Sequence, residues 1–323
     1  MPFSRRAALL GGGLLLSAAA KAATTLRWAT VVAPTHPEAA MMRAVAADVF
    51  EGTGGAVAIE VYAGGALGSS HDIIAATWAG AVQMVVEGAA QFGRFVAPFS
   101  ILESPYLWRD LAHMRGALAG PLMHGMQRQM RRNYTMRMLG WNFYGTRHLT
   151  TTHRAVRTMA DMAGLRLRVP AVAMFRAMAT AWGAEPAALD IAELAAALRA
   201  GAVDAQENPL PTIATSHLDA LQRCLVLTAH VMTPRPIMIN EAAWQRLAAP
   251  ERRRLAEAIA RRSAEQNAQV VALEQTLPAR FAATGMTVIT PDVESFRRPV
   301  LAVMPALFGR CRSFGLWKAI RAA

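Results

Sequence analysis

The chain has little cysteine, almost no lysine and few aromatic residues. Its 323 residues include Cys224 and Cys311 alone, which rules out a disulfide framework and a thiolate metal cluster. In an oxidising compartment the two can pair; the apolar ALQRCLVL context of Cys224 suits a buried free thiol equally well. Lysine occurs only at Lys21 and Lys318, so nearly all of the formal charge of +12 is arginine. A basic chain invites a nucleic-acid reading. Aromatics make up only 7% of it, however, and none interleaves with the arginines of Arg128–Arg132 or Arg252–Arg254 to stack bases. Those arginines read as solvated helix faces, and no nucleic-acid partner is expected. Signatures of hydrolases, zinc proteases and phosphate-binding loops are missing as well. There is no G-x-S-x-G, no H-E-x-x-H and no Walker loop. Ala63–Gly68 follows a strand like a dinucleotide fingerprint, yet its first position is alanine and no acid ends a suitable second strand, so it reads as a tight loop. No cofactor and no metal site are expected.

Long apolar runs are also lacking. The longest candidate lies at the start, where Arg5-Arg6 precede Ala7–Ala20 and Ala20-Lys21-Ala22 supplies an A-x-A cleavage site. An uncharged run of about 14 residues is short of the ~20 that span a bilayer. Residues 1–22 therefore read as an export signal, with the paired arginines pointing to the twin-arginine route. Cleavage lowers the charge from +12 to +9, because Arg5, Arg6 and Lys21 leave and no acid does. The mature protein is expected in the periplasm.

The remaining 300 or so residues, in a chain that is 54% hydrophobic, can fill two domains with real cores. Strand and helix alternate. Leu26–Val32, Ala56–Tyr62 and Ala81–Val86 read as strands, with helices opening at Pro37 and Ser70 between them. From Gly164 the pattern repeats: strand Leu165–Val169, helix Ala173–Trp182, then a helix capped by Asp190 with Glu193 at the box position and closed by Gly201. This is an α/β chain with largely parallel sheets. A long Arg/Glu/Ala-rich helix runs from Pro250 to about Thr276, with Leu255, Ala256, Ile259 and Ala260 as its apolar stripe.

The most informative stretch is Arg147–Pro209. It carries Gly145-Thr146-Arg147, Asp161-Met162, Gly164, Leu167-Arg168-Val169-Pro170, Glu193-Leu194, Ala197-Leu198, Gly201, Val203-Asp204 and Gln206-Glu207-Asn208-Pro209. Two arginines on a short strand precede a capped helix that leads into a polar, asparagine-bearing turn. A guanidinium fork fits a carboxylate bidentately, and an asparagine amide can donate a third bond to the same anion. Such a set holds an organic acid without reacting with it.

This ordered series resembles the solute-binding subunits of tripartite ATP-independent periplasmic (TRAP) transporters, the DctP-like family, and a looser match extends from about Leu26 to the C-terminal region. The resemblance implies a two-lobe periplasmic-binding-protein-like fold, with a ligand cleft between lobes and the long helix lying across both. Residues 24–144 with 234–272 would form lobe I, 145–233 with 273–305 lobe II, and 306–323 a tail packed on the body. It implies small and large membrane subunits as partners of a monomeric receptor.

By the same resemblance Arg168 falls on the arginine that pairs with the ligand carboxylate, Arg147 on a second cleft arginine and Asn208 on the asparagine that completes the clamp. Read alone, Arg168 is a solvated strand residue like Arg166, which is left as surface, and Asn208 is a turn former before Pro209. Glu87 follows a strand directly. It is either a cleft acceptor for ligand hydroxyls or a cap or loop acid. Ser69 to Asp72 suit an N-cap, and Glu207 and Asp204 suit structural partners of neighbouring arginines. His148 beside Arg147 has general-base chemistry but no identifiable partner. Val31, Ile191 and Tyr144 depart from the polar, aromatic and asparagine residues of the sialic-acid-binding branch, which disfavours that ligand. A dicarboxylate, keto acid or sugar acid fits the remaining clamp. The alternatives are a binding protein that serves a sensor and an exported carboxylate-processing enzyme.

Overall fold

A computed structural model describes residues 24–309 and 314–322. The export signal and Cys311 lie outside the described residues. The strands are β1 Thr24–Ala29, β2 Val57–Tyr62, β3 Met84–Val86, β4 Met136–Thr151, β5 Arg166–Val169, β6 Glu185–Ala188, β7 Ala205–Pro209, β8 Cys224–Asn240 and β9 Thr287–Ile289. The helices are α1 Pro37–Gly52, α2 Ser70–Trp78, α3 Leu111–Ala119, α4 Pro121–Tyr134, α5 Ala173–Ala181, α6 Ile191–Arg199, α7 Leu210–Thr215, α8 Glu241–Arg246, α9 Ala249–Ala283, α10 Val293–Gly309 and α11 Phe314–Ala322.

All nine strands join one sheet in the order β2-β1-β3-β8-β4-β7-β5-β6, with β9 added beside β8. The α/β class holds, but the sheet is mixed rather than largely parallel. The βαβ segments at either side pair parallel, β1 with β2 and β3, β5 with β6 and β7. The centre is antiparallel: β4 runs against both β8 and β7, and β3 runs against β8. Of the segment AVDAQENP at 202–209, which its polarity marks as a turn, Ala205–Pro209 form strand β7, and all five of these residues are buried. The expected strand at Ala81 begins only at Met84, and the first strand ends at Ala29.

Helix α9 has 35 residues and extends about 50 Å at 1.5 Å per residue. It runs on through Pro278, beyond the expected end, at the loss of one ladder N–H. Its buried residues follow helical spacing, but Ala258 belongs to the stripe and Ala260 does not. Near its start, Leu255 and Ile259 pack with Trp28, Val45 and Ile239. Near its end, Leu277 and Phe281 pack with Leu194, Leu210 and Ile213. One helix thus braces both halves of the sheet.

Between those cores β4 loses register with β8, from Phe143↔Pro234 to Thr146↔Met232. Gly145 sits there at φ +122°, a backbone conformation that favours glycine. The ladder groups freed by the shift find partners on α9. Asn267 Oδ1 accepts from Phe143 N at 2.6 Å, Gln266 Nε2 donates to Phe143 O at 3.1 Å, and Glu274 accepts from Thr146 N. Buried backbone groups rarely go unpaired. Here polar side chains in a helix stripe do the pairing. The C-terminal helix α11 docks through Trp317, whose Nε1 donates to Ser104 Oγ at 2.9 Å.

Candidate functional site

Five neighbouring strands each bring one group to a cleft with about 550 Å³ of empty space, part of it continuous with solvent. Across the sheet these are Glu87 just past β3, Arg235 on β8, Arg147 on β4, Asn208 on β7 and Arg168 on β5. Parallel pairing sets Arg168 opposite Gln206, two residues before Asn208, so Arg168 and Asn208 share a face, and Arg147 joins them at the irregular end of its pairing, opposite Pro209. The four sequence-predicted residues Arg168, Arg147, Asn208 and Glu87 therefore line one cleft, and all four are buried. Arg168 is not a solvated strand residue, since its neighbours Leu167 and Val169 fill the core on the opposite face while its own face is roofed by the cleft. Arg166 starts the same strand, stays exposed, and pairs with Asp204 through Nε at 2.8 Å.

The three buried arginines differ in what neutralises them. Arg147 grips Glu207 with Nε and Nη2, and its Nη2 also donates to Glu207 O at 2.7 Å and Asn208 Oδ1 at 3.2 Å. Burial opposes its charge, but Glu207 outweighs that and holds the guanidinium above its ordinary pKa. Arg235 is more fully engaged. Nε lies 2.8 Å from Glu38, Nη1 lies 3.0 Å from Glu87, and Nη2 donates to Thr30 Oγ1 and Val86 O. Tyr144 lies under it, 4.5 Å from ring centroid to guanidinium carbon.

Arg168 has no carboxylate within 4 Å among the described residues. Its Nε and Nη2 both donate to one acceptor, Leu189 O, at 2.9 and 2.6 Å. Burial lowers its pKa to about 10, the direction expected for a cation taken from water without a full counter-charge. Two of its five N–H groups are used, which leaves the end of the fork, Nη1 and the second Nη2 hydrogen, for an anion. Asn208 is oriented by its neighbours: its Nδ2 donates to Gln206 Oε1 at 2.6 Å, which leaves one amide hydrogen.

Glu87 is a cleft residue rather than a helix cap. Oε1 accepts from Gly88 N at 2.8 Å and faces Arg235, and Oε2 accepts from Ser70 Oγ at 2.9 Å. Capping of α2 falls to Ser69 and Asp72. His148 is no base for this cleft. It is buried away from it, accepts from Ala229 N at 3.2 Å, and is pushed down to about 3 by burial.

Sequence reading missed Arg235, Thr212 and Asp190. The signal for Arg235 was present, a lone arginine between two prolines in the apolar run VMTPRPIMIN; a charge there needs buried partners. Val31, Tyr144 and Ile191, the three departures from the sialic-acid branch, all line the cleft. Among the described residues no group of three or more His, Cys, Asp or Glu residues is placed to hold a metal ion, and no helix is long and apolar enough to cross a membrane.

The sequence signature described as bacterial extracellular solute-binding protein, family 7 (DctP), matches residues 28–308. The chain belongs to this family. A solute-binding protein of Verminephrobacter eiseniae is 32% identical over 83% of this chain and 80% of its own. The sialic acid-binding periplasmic protein SiaP of Vibrio cholerae is 29% identical over 85% and 86%. Among solved structures, a TRAP periplasmic solute-binding protein from Polaromonas sp. JS666 bound to D-erythronate superposes with a TM-score of 0.86, at 27% identity over 93% of this chain and 99% of that one. A Bordetella counterpart with density assigned to pantoate gives 0.86 at 28% identity, over 92% and 98%. The two-lobe α/β architecture of the family is therefore the architecture of this chain, and family members are extracytoplasmic solute-binding proteins.

Proposed function

We propose that this protein captures a small organic acid by its carboxylate in the cleft and delivers it, unreacted, to the small and large membrane subunits of a TRAP transporter. One observation carries the reading: Arg168 is buried at the cleft with no acidic partner and with the end of its fork unused. A cation in that state is stabilised by an anionic ligand, and a guanidinium end matches a carboxylate. Arg147 Nη1 and the free Asn208 amide hydrogen supply flanking donors. Glu87, Asp190, Ser70 and Thr212 supply acceptors for hydroxyls farther along. Relatives that bind sialic acid, 2,3-diketo-L-gulonate and D-erythronate support an acid as ligand.

The lobes in this reading are 24–144 with 234–272 and 145–233 with 273–305. Their division is supported by the register loss of β4 around Gly145, where closing motion would concentrate. The Arg5-Arg6 leader supports export to the periplasm by the twin-arginine route.

A thermal-shift series on the mature protein tests the function. Hydroxylated carboxylates should raise Tm, and their amides or esters should not. A ligand at a hundred times its Kd adds about 2.7 kcal/mol, roughly 5 °C for a chain of this size. Stabilisation by neutral sugars and by no carboxylate would sink the proposal.

A further inference from the structure

The cleft holds three arginines, which by count alone suits a diacid. The partners say otherwise. Arg235 is poorly placed to receive a second carboxylate, because Glu38 and Glu87 already neutralise it at 2.8 and 3.0 Å, its Nη2 donates to Thr30 and Val86, and Tyr144 covers one face of its fork. Its lining role is to hold Glu87. That carboxylate is fixed at the β3 end of the row by Arg235 and Gly88 N on Oε1 and by Ser70 on Oε2. At the β5 end stands Arg168, with no carboxylate within 4 Å among the described residues. The row is therefore polarised, with a free cation at one end and an anchored anion at the other.

Resting on the carboxylate-capture reading above, we infer that Glu87 is a charge filter that makes this cleft select hydroxylated monocarboxylates and reject the diacids of the same carbon skeleton. A ligand with its carboxylate on Arg168 places its far end toward Glu87. A hydroxyl there donates a charge-assisted hydrogen bond to the anchored oxygen. A second carboxylate there meets a like charge in a desolvated site and has no hydrogen to give it, which is how a site discriminates by repulsion as well as attraction. Glu207 behind Arg147 and Glu38 behind Arg235 remove the positive charge that would offset that repulsion.

The test uses matched pairs in isothermal titration: D-erythronate against meso-tartrate, and D-galactonate against galactarate, each differing only in oxidation of the far carbon. For the wild-type protein at least one monoacid should bind at least about tenfold more tightly than its diacid. Glu87→Gln should narrow that ratio to near unity or reverse it. The glutamine can keep its oxygen on Arg235 and turn its amide toward the ligand, while the Ser70 hydroxyl rotates to accept. Diacids that bind the wild type as tightly as the monoacids overturn the inference, and this comparison decides the matter even if Glu87→Gln does not fold. An unchanged ratio in a folded Glu87→Gln also overturns it. In both cases a loss of all acid binding in Arg168→Ala would leave the carboxylate reading standing. Binding of none of the four acids by the wild type would overturn that reading and the inference with it.

Discussion

Replacing Arg168 with alanine separates what this residue does for the ligand from what it does for the fold. With the ligand bound, two N–H groups at the end of the fork meet a carboxylate that the closed cleft has stripped of water. Removing the arginine leaves that anion buried and unpaired, at about 2–5 kcal/mol, or roughly 30- to 5000-fold in Kd. Without ligand the balance differs. Burial disfavours the charge of Arg168 and lowers its pKa from the ordinary guanidinium range to about 10. A shift of that size corresponds to about 3 kcal/mol of unfavourable burial. Truncation relieves this but strands Leu189 O, whose two donors came from Arg168, at about 1–3 kcal/mol.

The two terms nearly cancel, so ligand-free Arg168→Ala should melt within a few degrees of wild type while its ligand-induced shift disappears. Arg168→Lys keeps a charge but loses the planar fork, and should recover part of the affinity. Arg166→Ala, at an exposed surface pair, should leave affinity unchanged. Isothermal titration and thermal melts of the three variants read these outcomes. Wild-type affinity in a folded Arg168→Ala would refute the reasoning, and so would a ligand-free melt lowered by tens of degrees.

Gly145→Ala should destabilise the fold by about 2–5 kcal/mol, read by chemical denaturation, because φ is +122° and a Cβ would meet Pro209 Cβ at 2.8 Å; an unchanged midpoint refutes the steric argument. Glu103 tests the sign of a buried acid. Burial raises its pKa from 4.5 to about 7, so its contribution to stability is full below about pH 4.5 and is lost as the pH rises through 7. Glu103→Gln, which keeps an acceptor for Ala90 N, should gain on wild type in Tm from about pH 5 to about pH 8; parallel Tm curves over that range would refute it.

The βαβ segments were legible because their information is local. Ser69 and Asp72, or Asp190 and Glu193, lie within one helical turn, and the alternation in Val57–Tyr62 needs no distant partner. The two central strands were not legible. Their 16 and 17 residues are interrupted by Gly145, Pro234 and Pro236, and they bury Thr228, His230 and Arg235, which composition assigns to loops. Strand β7 was misread for the same reason. Gln206, Glu207 and Asn208 look like a turn until their partners are known, and those partners are Thr150 and Arg147 about 60 residues away. Polarity reports a turn only where the polar groups are left to water.

The same distinction sets the chemistry of the cleft. Arg147, Arg168 and Arg235 are identical side chains, equally buried, on three strands of one sheet. Nothing within a few residues of each says which is structural. Glu207 lies 60 positions from Arg147, and Glu38 lies nearly 200 positions from Arg235. Glu38 helps turn Arg235 into a fixed part of the wall, and Glu207 neutralises Arg147 through Nε and Nη2 while its Nη1 stays available as a flanking donor. Arg168 is given a backbone carbonyl instead, which holds the fork in place and leaves its charge uncompensated. A carbonyl orients without neutralising, and a carboxylate does both. Ligand capture at this cleft therefore follows less from the presence of arginine than from the arginine that, among the described residues, has no carboxylate within 4 Å.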